Sequence, residues 1–405
     1  MRVSKVITLG CRLNIAESDA IRAMLPDDDL VVVNSCAVTE EAVRQTRRAI
    51  RRAKRERPDA RVVVTGCAVE VEPAMFAAMP EVAGVVANTA KLDPSSFSPF
   101  ASSEVEKRIS TSLDTDGRNS SHARGFVEVQ NGCDHSCTFC IIPQGRGPSR
   151  SLPAGAVIDR VKAVVDGGAG EVVLTGVDVT SYGDLAGDSL GLLVERILKA
   201  VPHLPRLRLS SLDPVEIDER LFALIVGEPR VMPHLHFSLQ AGDDMILKRM
   251  KRRHLRTDAI DLVQRIKAAR PEIAIGADLI AGFPTETEAM FANSLAIVEA
   301  CDIVFGHIFP YSPRRGTPAA RMPQVEPEVV RARARRLREA CAERQAAWLD
   351  RLNGSEQRLL VELDGRTGHA ENFAKIAVES RLPPRSIQSV RITARRGDTL
   401  IGVPA

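Results

Sequence analysis

The sequence contains no apolar run long enough to span a bilayer, and it opens directly into a strand-like segment, Val3–Leu9. A membrane helix needs about 20 consecutive apolar residues and a secretory leader needs an apolar stretch behind a basic start, so neither is expected. Cysteine is sparse: eight among 405 residues are too few for a disulfide scaffold, and a reducing cytoplasm fits best. No internal repeat and no long low-complexity run is visible, and the formal net charge is only +3. The hydrophobic fraction of 44% suits a chain with a real core, and the length suits two or three domains.

Three of the few cysteines stand together, as Asn131-Gly-Cys-Asp-His-Ser-Cys-Thr-Phe-Cys140. Cys133, Cys137 and Cys140 can hold three corners of a four-iron, four-sulfur cube through thiolate sulfur, leaving the fourth iron open to chelate a small molecule. A structural zinc site is an alternative, but zinc loops usually pair with a second Cys or His half-site, and none follows closely. A disulfide pair is another alternative.

Three more thiols each follow a candidate strand: Cys11 in Thr8-Leu-Gly-Cys-Arg-Leu-Asn14, Cys36 in Asn34-Ser-Cys-Ala-Val-Thr39, and Cys67 in Val64-Thr-Gly-Cys67. Strand-end loops of one parallel sheet converge on the edge where such sheets bind ligands. A second cluster with one open iron is expected there, and glycine beside Cys11 and Cys67 permits close backbone approach. Inert buried thiols are the alternative. Cys301 and Cys341 lack such a setting and read as core or incidental thiols.

Apolar patterning predicts an α/β chain in several parts. In residues 1–92, strands are expected at Val3–Leu9, Leu30–Asn34, Arg61–Thr65 and Val82–Ala87, with helices near Ser18–Met24, Glu40–Arg57 and Pro73–Ala78. Residues 93–122, rich in serine, proline and charge, read as a linker. Six strand–helix units over 123–352 suggest a partial (β/α)6 barrel, whose chemistry sits at the strand C-termini. Residues 353–405 switch to short strands and read as a small β-barrel, marginal alone. Two arginine-rich stretches, Arg44–Arg57 and Arg331–Arg338, offer what a polyanion needs, or else two solvated faces.

The cysteine loop resembles that of the radical S-adenosylmethionine (SAM) enzymes. With the N-terminal triad and the C-terminal barrel, the chain is identified as a member of their methylthiotransferase family. Further matches are Leu174-Thr-Gly176, His236-Phe-Ser-Leu-Gln240, Asp278-Leu-Ile-Ala-Gly-Phe-Pro-Thr-Glu-Thr287, Phe309-Pro-Tyr-Ser312, Gly316-Thr317 and Gly368-His-Ala-Glu-Asn-Phe373, the last resembling the core of a TRAM module. Ala241 replaces a frequent serine, and the C-terminal barrel is poor in aromatics; neither departure touches a cluster ligand.

The resemblance implies two [4Fe-4S] clusters, on Cys133, Cys137 and Cys140 and on Cys11, Cys36 and Cys67, and SAM contacts at Phe139, Gly176, Ser211 and Gln240. It implies transfer of a methylthio group to carbon 2 of an adenosine in tRNA, with two SAM consumed per product and a 5'-deoxyadenosyl radical. The context of Cys11 and Cys36 resembles the branch acting on N6-threonylcarbamoyladenosine; other branches act on isopentenyl-adenosine or on a ribosomal-protein aspartate. A non-catalytic iron–sulfur RNA-binding protein would leave the open-iron spacing unused. An electron donor and a sulfur donor are required, but they and the oligomeric state carry no signature here.

Overall fold

The computed structural model describes residues 4–25, 29–100, 122–183 and 187–405. Val3 of the expected first strand and residues 101–121 of the expected linker lie outside them.

The N-terminal layer is a parallel sheet of β1 (Lys5–Thr8), β2 (Leu30–Ser35), β3 (Arg61–Gly66) and β4 (Val82–Val85), paired in that order. β2, Leu-Val-Val-Val-Asn-Ser, is buried at every position, as a strand covered on both faces must be. Its helices are α1 (Arg12–Met24), α2 (Glu40–Glu56), α3 (Cys67–Val71) and α4 (Pro73–Ala77). α2 starts where Thr39 Oγ1 accepts from the Ala42 amide at 3.1 Å, with Glu40 and Glu41 on its positive end. It buries Val43, Thr46, Ile50 and Ala53, a stripe at helical spacing. α1 begins at Arg12, well before the expected Ser18, because Cys11 serves as its extended N-cap. Residues 94–100, expected as linker, form a 3-10 turn whose Phe97 is buried beside Ile21, Leu30 and Val63. Burying such a ring contributes about 2 kcal/mol towards holding the segment on the core.

In the central part, the parallel strands β5 (Arg124–Glu128), β8 (Glu171–Thr175) and β9 (Leu207–Leu209) form one sheet. β10 (Ser211–Leu212), β11 (His234–Gln240), β12 (Ala274–Ala281) and β13 (Ile303–Pro310) form another. Only Ser210 separates β9 from β10, so the two sheets continue one open, curved wall. Short β6 (Gln130–Asn131) and β7 (Arg150–Ser151) pair antiparallel around the cysteine loop. α6 (Ala154–Asp166), α7 (Leu190–Ala200), α8 (Glu219–Gly227), α10 (Arg256–Ala269) and α11 (Glu288–Ala300) follow strands and back the wall. Leu235, Phe237 and Leu239 face those helices in the main core, so the alternating His234 and His236 face the lumen. The short helices α5 (Ile142–Arg146) and α9 (Asp244–Met250) were not expected from the pattern, and α12 (Pro327–Arg351) leads out of the wall.

The C-terminal strands β14 (Glu356–Val361), β15 (Thr367–His369), β16 (Lys375–Val378), β17 (Ile387–Arg396) and β18 (Thr399–Pro404) close a barrel in the order β14-β15-β16-β18-β17. Its core, with Leu359, Ile376, Val390 and Leu400, is continuous with Trp348 of α12 and Val304 of β13. A barrel too small to stand alone thus borrows apolar surface from its neighbours. Among the described residues no helix is long and apolar enough to cross a membrane.

Candidate active site between two cysteine triads

The Cys133–Cys140 loop leaves β6 at the C-terminal face of the wall. It is pinned to α9, where Thr138 donates from its amide to Met250 O at 3.1 Å and from Oγ1 to Arg249 O at 2.8 Å. The Ile142 amide donates to Cys140 Sγ at 3.4 Å, and Arg252 Nη1 donates to Cys137 Sγ at 3.8 Å. Arg252 is itself fixed through Nη2 to Asp213 Oδ2 and Ser238 O, both at 2.8 Å. All three thiols are free. Burial, with smaller contributions from Asp178 and Cys137, pushes Cys133 up to about 11, and burial with the charges of Cys137 and Cys133 pushes Cys140 up to about 12. Such protonated thiols ionise on binding iron, releasing protons. Cys133, His135 and Asp178 also bring one ligand atom each within 4.8 Å of one another. A zinc ion held there would leave Cys137 and Cys140 idle, so the donor set fits a thiolate-bound cluster better.

The N-terminal triad converges as its placement after the strands requires. Cys11 caps α1, Cys36 follows β2, and Cys67 opens α3 after β3. Burial, then the charges of Cys11 and Cys67, push Cys36 up to about 11, so the three sulfurs share one electrostatic neighbourhood. Gly10 has φ +101°, and a Cβ there would come within 2.7 Å of Cys36 Cβ. Gly66 has φ +92°, and its Cβ would meet Ser35 O at 2.5 Å. The glycines expected to admit a bulky group therefore let the cysteine loops approach one another. Three free thiols on three converging loops fit a second cluster with one open position.

One short helix lies between the triads. α5 follows Cys140 directly, and a Cβ on its Gly145 would sit 3.2 Å from Cys67 Cβ. Arg146 ends α5 and is buried, donating to Glu17 Oε1 at 2.8 Å, Asn131 Oδ1 at 3.0 Å and Asn14 Oδ1 at 2.5 Å. Lys91 Nζ donates to Glu17 Oε2 at 2.5 Å. Burial alone would raise the Glu17 carboxyl, but Lys91 and Arg146 outweigh it and hold it below its usual range. No local motif marks Arg146 or Glu17, which lie 129 positions apart in the chain.

Below the triads, the lumen is lined by ionisable groups. His236 Nε2 lies 2.9 Å and His307 Nδ1 3.3 Å from Asp278 Oδ1. Deeper, Glu171 accepts from Arg208 Nε and Nη2, each at 2.8 Å, and lies 3.2 Å from Arg124. Phe373 of the C-terminal barrel closes the floor, its ring 4.7 Å from that of His369 and 4.8 Å from that of His234. The guanidinium carbons of Arg12, Arg124 and Arg208 lie 5.6, 5.3 and 4.8 Å from the Phe373 centroid.

Of the residues expected at SAM, Phe139 stands edge-on to Phe283 at 6.4 Å and packs against the cluster that includes Ala241 and Ile246. A Cβ on Gly176 would meet Gln130 O at 2.7 Å, beside the Gln130 side chain that accepts from the Val177 and Asp178 amides. Ser211 pairs in register with His236. Gln240 ends β11 at a register shift with φ +70°, a strained backbone of the kind that marks sites. Cys301 and Cys341 are buried, as expected.

The two basic stretches differ. On α2, Arg44, Arg48, Arg51 and Arg52 remain exposed, though each has a carboxylate within 4 Å. On α12, Arg333 is buried against Glu286 at 3.0 Å and Arg336 pairs with Glu288 at 2.6 Å, tying α12 to the start of α11, while Arg331, Arg335 and Arg338 remain exposed.

Residues 127–298 match the radical SAM superfamily and residues 4–87 match a family described as uncharacterized protein family UPF0004. The chain is 45% identical over 387 residues to the threonylcarbamoyladenosine tRNA methylthiotransferase MtaB of Rickettsia prowazekii (strain Madrid E), covering 93% of this chain and 92% of that one. It is 34% identical to the tRNA-2-methylthio-N(6)-dimethylallyladenosine synthase of Erythrobacter litoralis (strain HTCC2594), covering 89% and 87%. Among solved structures, the radical SAM methyltransferase TsrM of Kitasatospora setae, with cobalamin and a [4Fe-4S] cluster bound, matches in fold. Its TM-score is 0.52 at 16% identity, covering 79% of this chain and 77% of that one. An open parallel wall with the CxxxCxxC loop at its C-terminal face, a cysteine-bearing α/β layer before it and relatives matched over nearly their whole length make this chain a member of the radical SAM methylthiotransferase family.

Proposed function

We propose that the protein transfers a methylthio group to carbon 2 of N6-threonylcarbamoyladenosine at position 37 of tRNA, consuming two SAM per product. The observation that carries this reading is the junction at α5, where one helix of 5 residues has the radical-loop cysteines at one end and Cys67 against its flank. When bound, a [4Fe-4S] cluster on Cys133, Cys137 and Cys140 supplies the electron that turns SAM into a 5'-deoxyadenosyl radical, and one on Cys11, Cys36 and Cys67 holds the sulfur to be methylated.

The chain's own residues do the rest. Arg252 orients the loop at Cys137 and offsets its charge. Phe139, Gly176, Ser211 and Gln240 form the SAM side of the pocket. Arg146, Glu17 and Lys91 keep the two triads in one register. The lumen receives the adenine, which must leave its stack to reach the radical. Residues 1–92 act as the auxiliary-cluster domain, 123–352 as the radical SAM domain and 353–405 as a TRAM-like RNA-binding barrel, in a cytoplasmic protein with separate electron and sulfur donors.

The 34% identity to a dimethylallyladenosine synthase favours isopentenyl-adenosine as the second reading. Mass spectrometry of tRNA nucleosides from a deletion strain tests both. N6-threonylcarbamoyladenosine lacking its 2-methylthio group is the expected result. Loss of methylthiolation on isopentenyl-adenosine instead overturns the first reading for the second.

A further inference from the structure

Four arginines crowd the lumen, and three have partners. Arg124 lies 3.2 Å from Glu171 and 3.0 Å from Glu362. Arg208 is bidentate to Glu171 and also reaches Glu371 O at 3.1 Å. Arg206 donates to Arg358 O at 2.7 Å and lies 3.7 Å from Glu371. Arg12 is the exception. Among the described residues it has neither a hydrogen bond nor an ion pair, only the face of Phe373 at 5.6 Å.

Its surroundings disfavour a bare cation. Arg124 and Arg208 share the Phe373 ring with it, at 5.3 and 4.8 Å from the centroid, so its nearest charged neighbours there are cations. A partly buried guanidinium with five unused donors, in a field already positive, calls for an anion. Its position narrows the choice. Arg12 is the first residue of α1, next to Cys11 at the N-cap, so it adjoins the triad that faces the reacting carbon. On adenine, carbon 2 and the N6 substituent lie on one edge, separated by N1. A base presenting carbon 2 to the Cys11 loop therefore brings its N6 substituent to the same side of the lumen.

We infer that Arg12 is the specificity residue of the site, its guanidinium binding a carboxylate carried on the N6 substituent of the target adenosine. This rests on the substrate proposed above. An aliphatic N6 substituent would leave Arg12 as unpaired as it is now, so the same residue discriminates against it. A backbone phosphate is the other anion RNA could offer.

The test uses the full chain, anaerobically reconstituted, and three synthetic anticodon stem-loops: one with N6-threonylcarbamoyladenosine, one with its methyl ester, and one with unmodified adenosine. Affinity and KM are measured separately from kcat. The wild type should bind the acid roughly 10- to 100-fold more tightly than the ester, the range of a charge-assisted hydrogen-bonded pair. R12M should remove that preference, and R12K should restore part of it through a single charge without the bidentate fork. Equal wild-type affinity for acid and ester overturns the inference. So does an equal loss in R12M on all three stem-loops, which would make Arg12 a phosphate ligand. Tighter binding of the acid without methylthiolation overturns the proposed reaction and leaves the anion site standing.

Discussion

Arg146 Nη1 donates to Glu17 Oε1 at 2.8 Å, both side chains almost wholly buried, and this ion pair joins the radical loop's own helix to the layer that carries the other triad. Lys91 shares the same carboxylate. Glu17→Gln leaves two buried cations facing one neutral amide. Its expected cost is about 3–5 kcal/mol, the usual penalty for breaking a buried pair. Urea titration of the variant against wild type, followed by far-UV circular dichroism, measures it; a loss within experimental error would mean that water reaches the pair.

Glu171 sets the acid limit of the interface between wall and C-terminal barrel. Burial would raise its carboxyl, but Arg208, then Arg124 and Arg206, outweigh burial and hold it at about 2. A carboxyl lowered on folding stabilises the native state above its unfolded value, and that contribution disappears as pH falls from the unfolded value towards 2. Between about pH 4.5 and 3 the wild type should therefore lose thermal stability faster than Glu171→Gln. Melting temperatures across that range, taken on both proteins at equal salt, provide the comparison. Parallel curves would remove Glu171 from the account.

Anaerobic reconstitution should give about two four-iron clusters per chain, one for each set of three thiolates. Replacing Cys11, Cys36 and Cys67 together with alanine should halve iron and sulfide, keep 5'-deoxyadenosine formation and abolish methylthio product. Replacing Cys133, Cys137 and Cys140 should also halve the iron but stop SAM cleavage. One cluster in the wild type would refute the two-centre reading.

Charge reversal at Arg48 and Arg51, exposed on α2, should weaken tRNA binding. The slope of log affinity against log salt should become shallower by roughly 0.7–0.9 for each phosphate that is no longer neutralised. Fluorescence anisotropy over a salt series reads both quantities. An unchanged slope would assign the α2 arginines to their neighbouring carboxylates, Glu41 and Glu81.

Local chemistry was legible in the chain; long-range chemistry was not. The strands Leu30–Asn34 and Arg61–Thr65 were expected to within one residue of the boundaries they have, because continuous apolar runs bounded by turns leave little freedom. Both cysteine triads could be found because spacing or strand-end placement marks them. The start of α1 was misjudged because its N-cap is Cys11, which makes no side-chain capping bond and gives none of the usual helix-start signals. α5, with proline and glycine within its 5 residues, has no helical periodicity and owes its shape to packing against α3. Arg146 gave no signal because its meaning lies in partners far along the chain, while Arg12 and Phe373 stood only inside motifs matched by resemblance and were not read as site residues. Arg333 misled in the opposite direction: its cluster of arginines read as a surface for a polyanion or for solvent, yet Glu286 holds Arg333 inside.

The position of Gly145 against Cys67 bears on how the molecule is made. During synthesis the N-terminal sheet emerges first, and domains tend to fold as they appear. At that stage Cys11, Cys36 and Cys67 are already grouped, but the wall that α5 gives them has not been translated. An iron centre delivered then would meet water and oxygen on one side until residue 146 arrived. Assembly machinery acting on this protein therefore has reason to wait for the central domain, and a fragment ending near residue 100 should capture iron yet lose it readily in air.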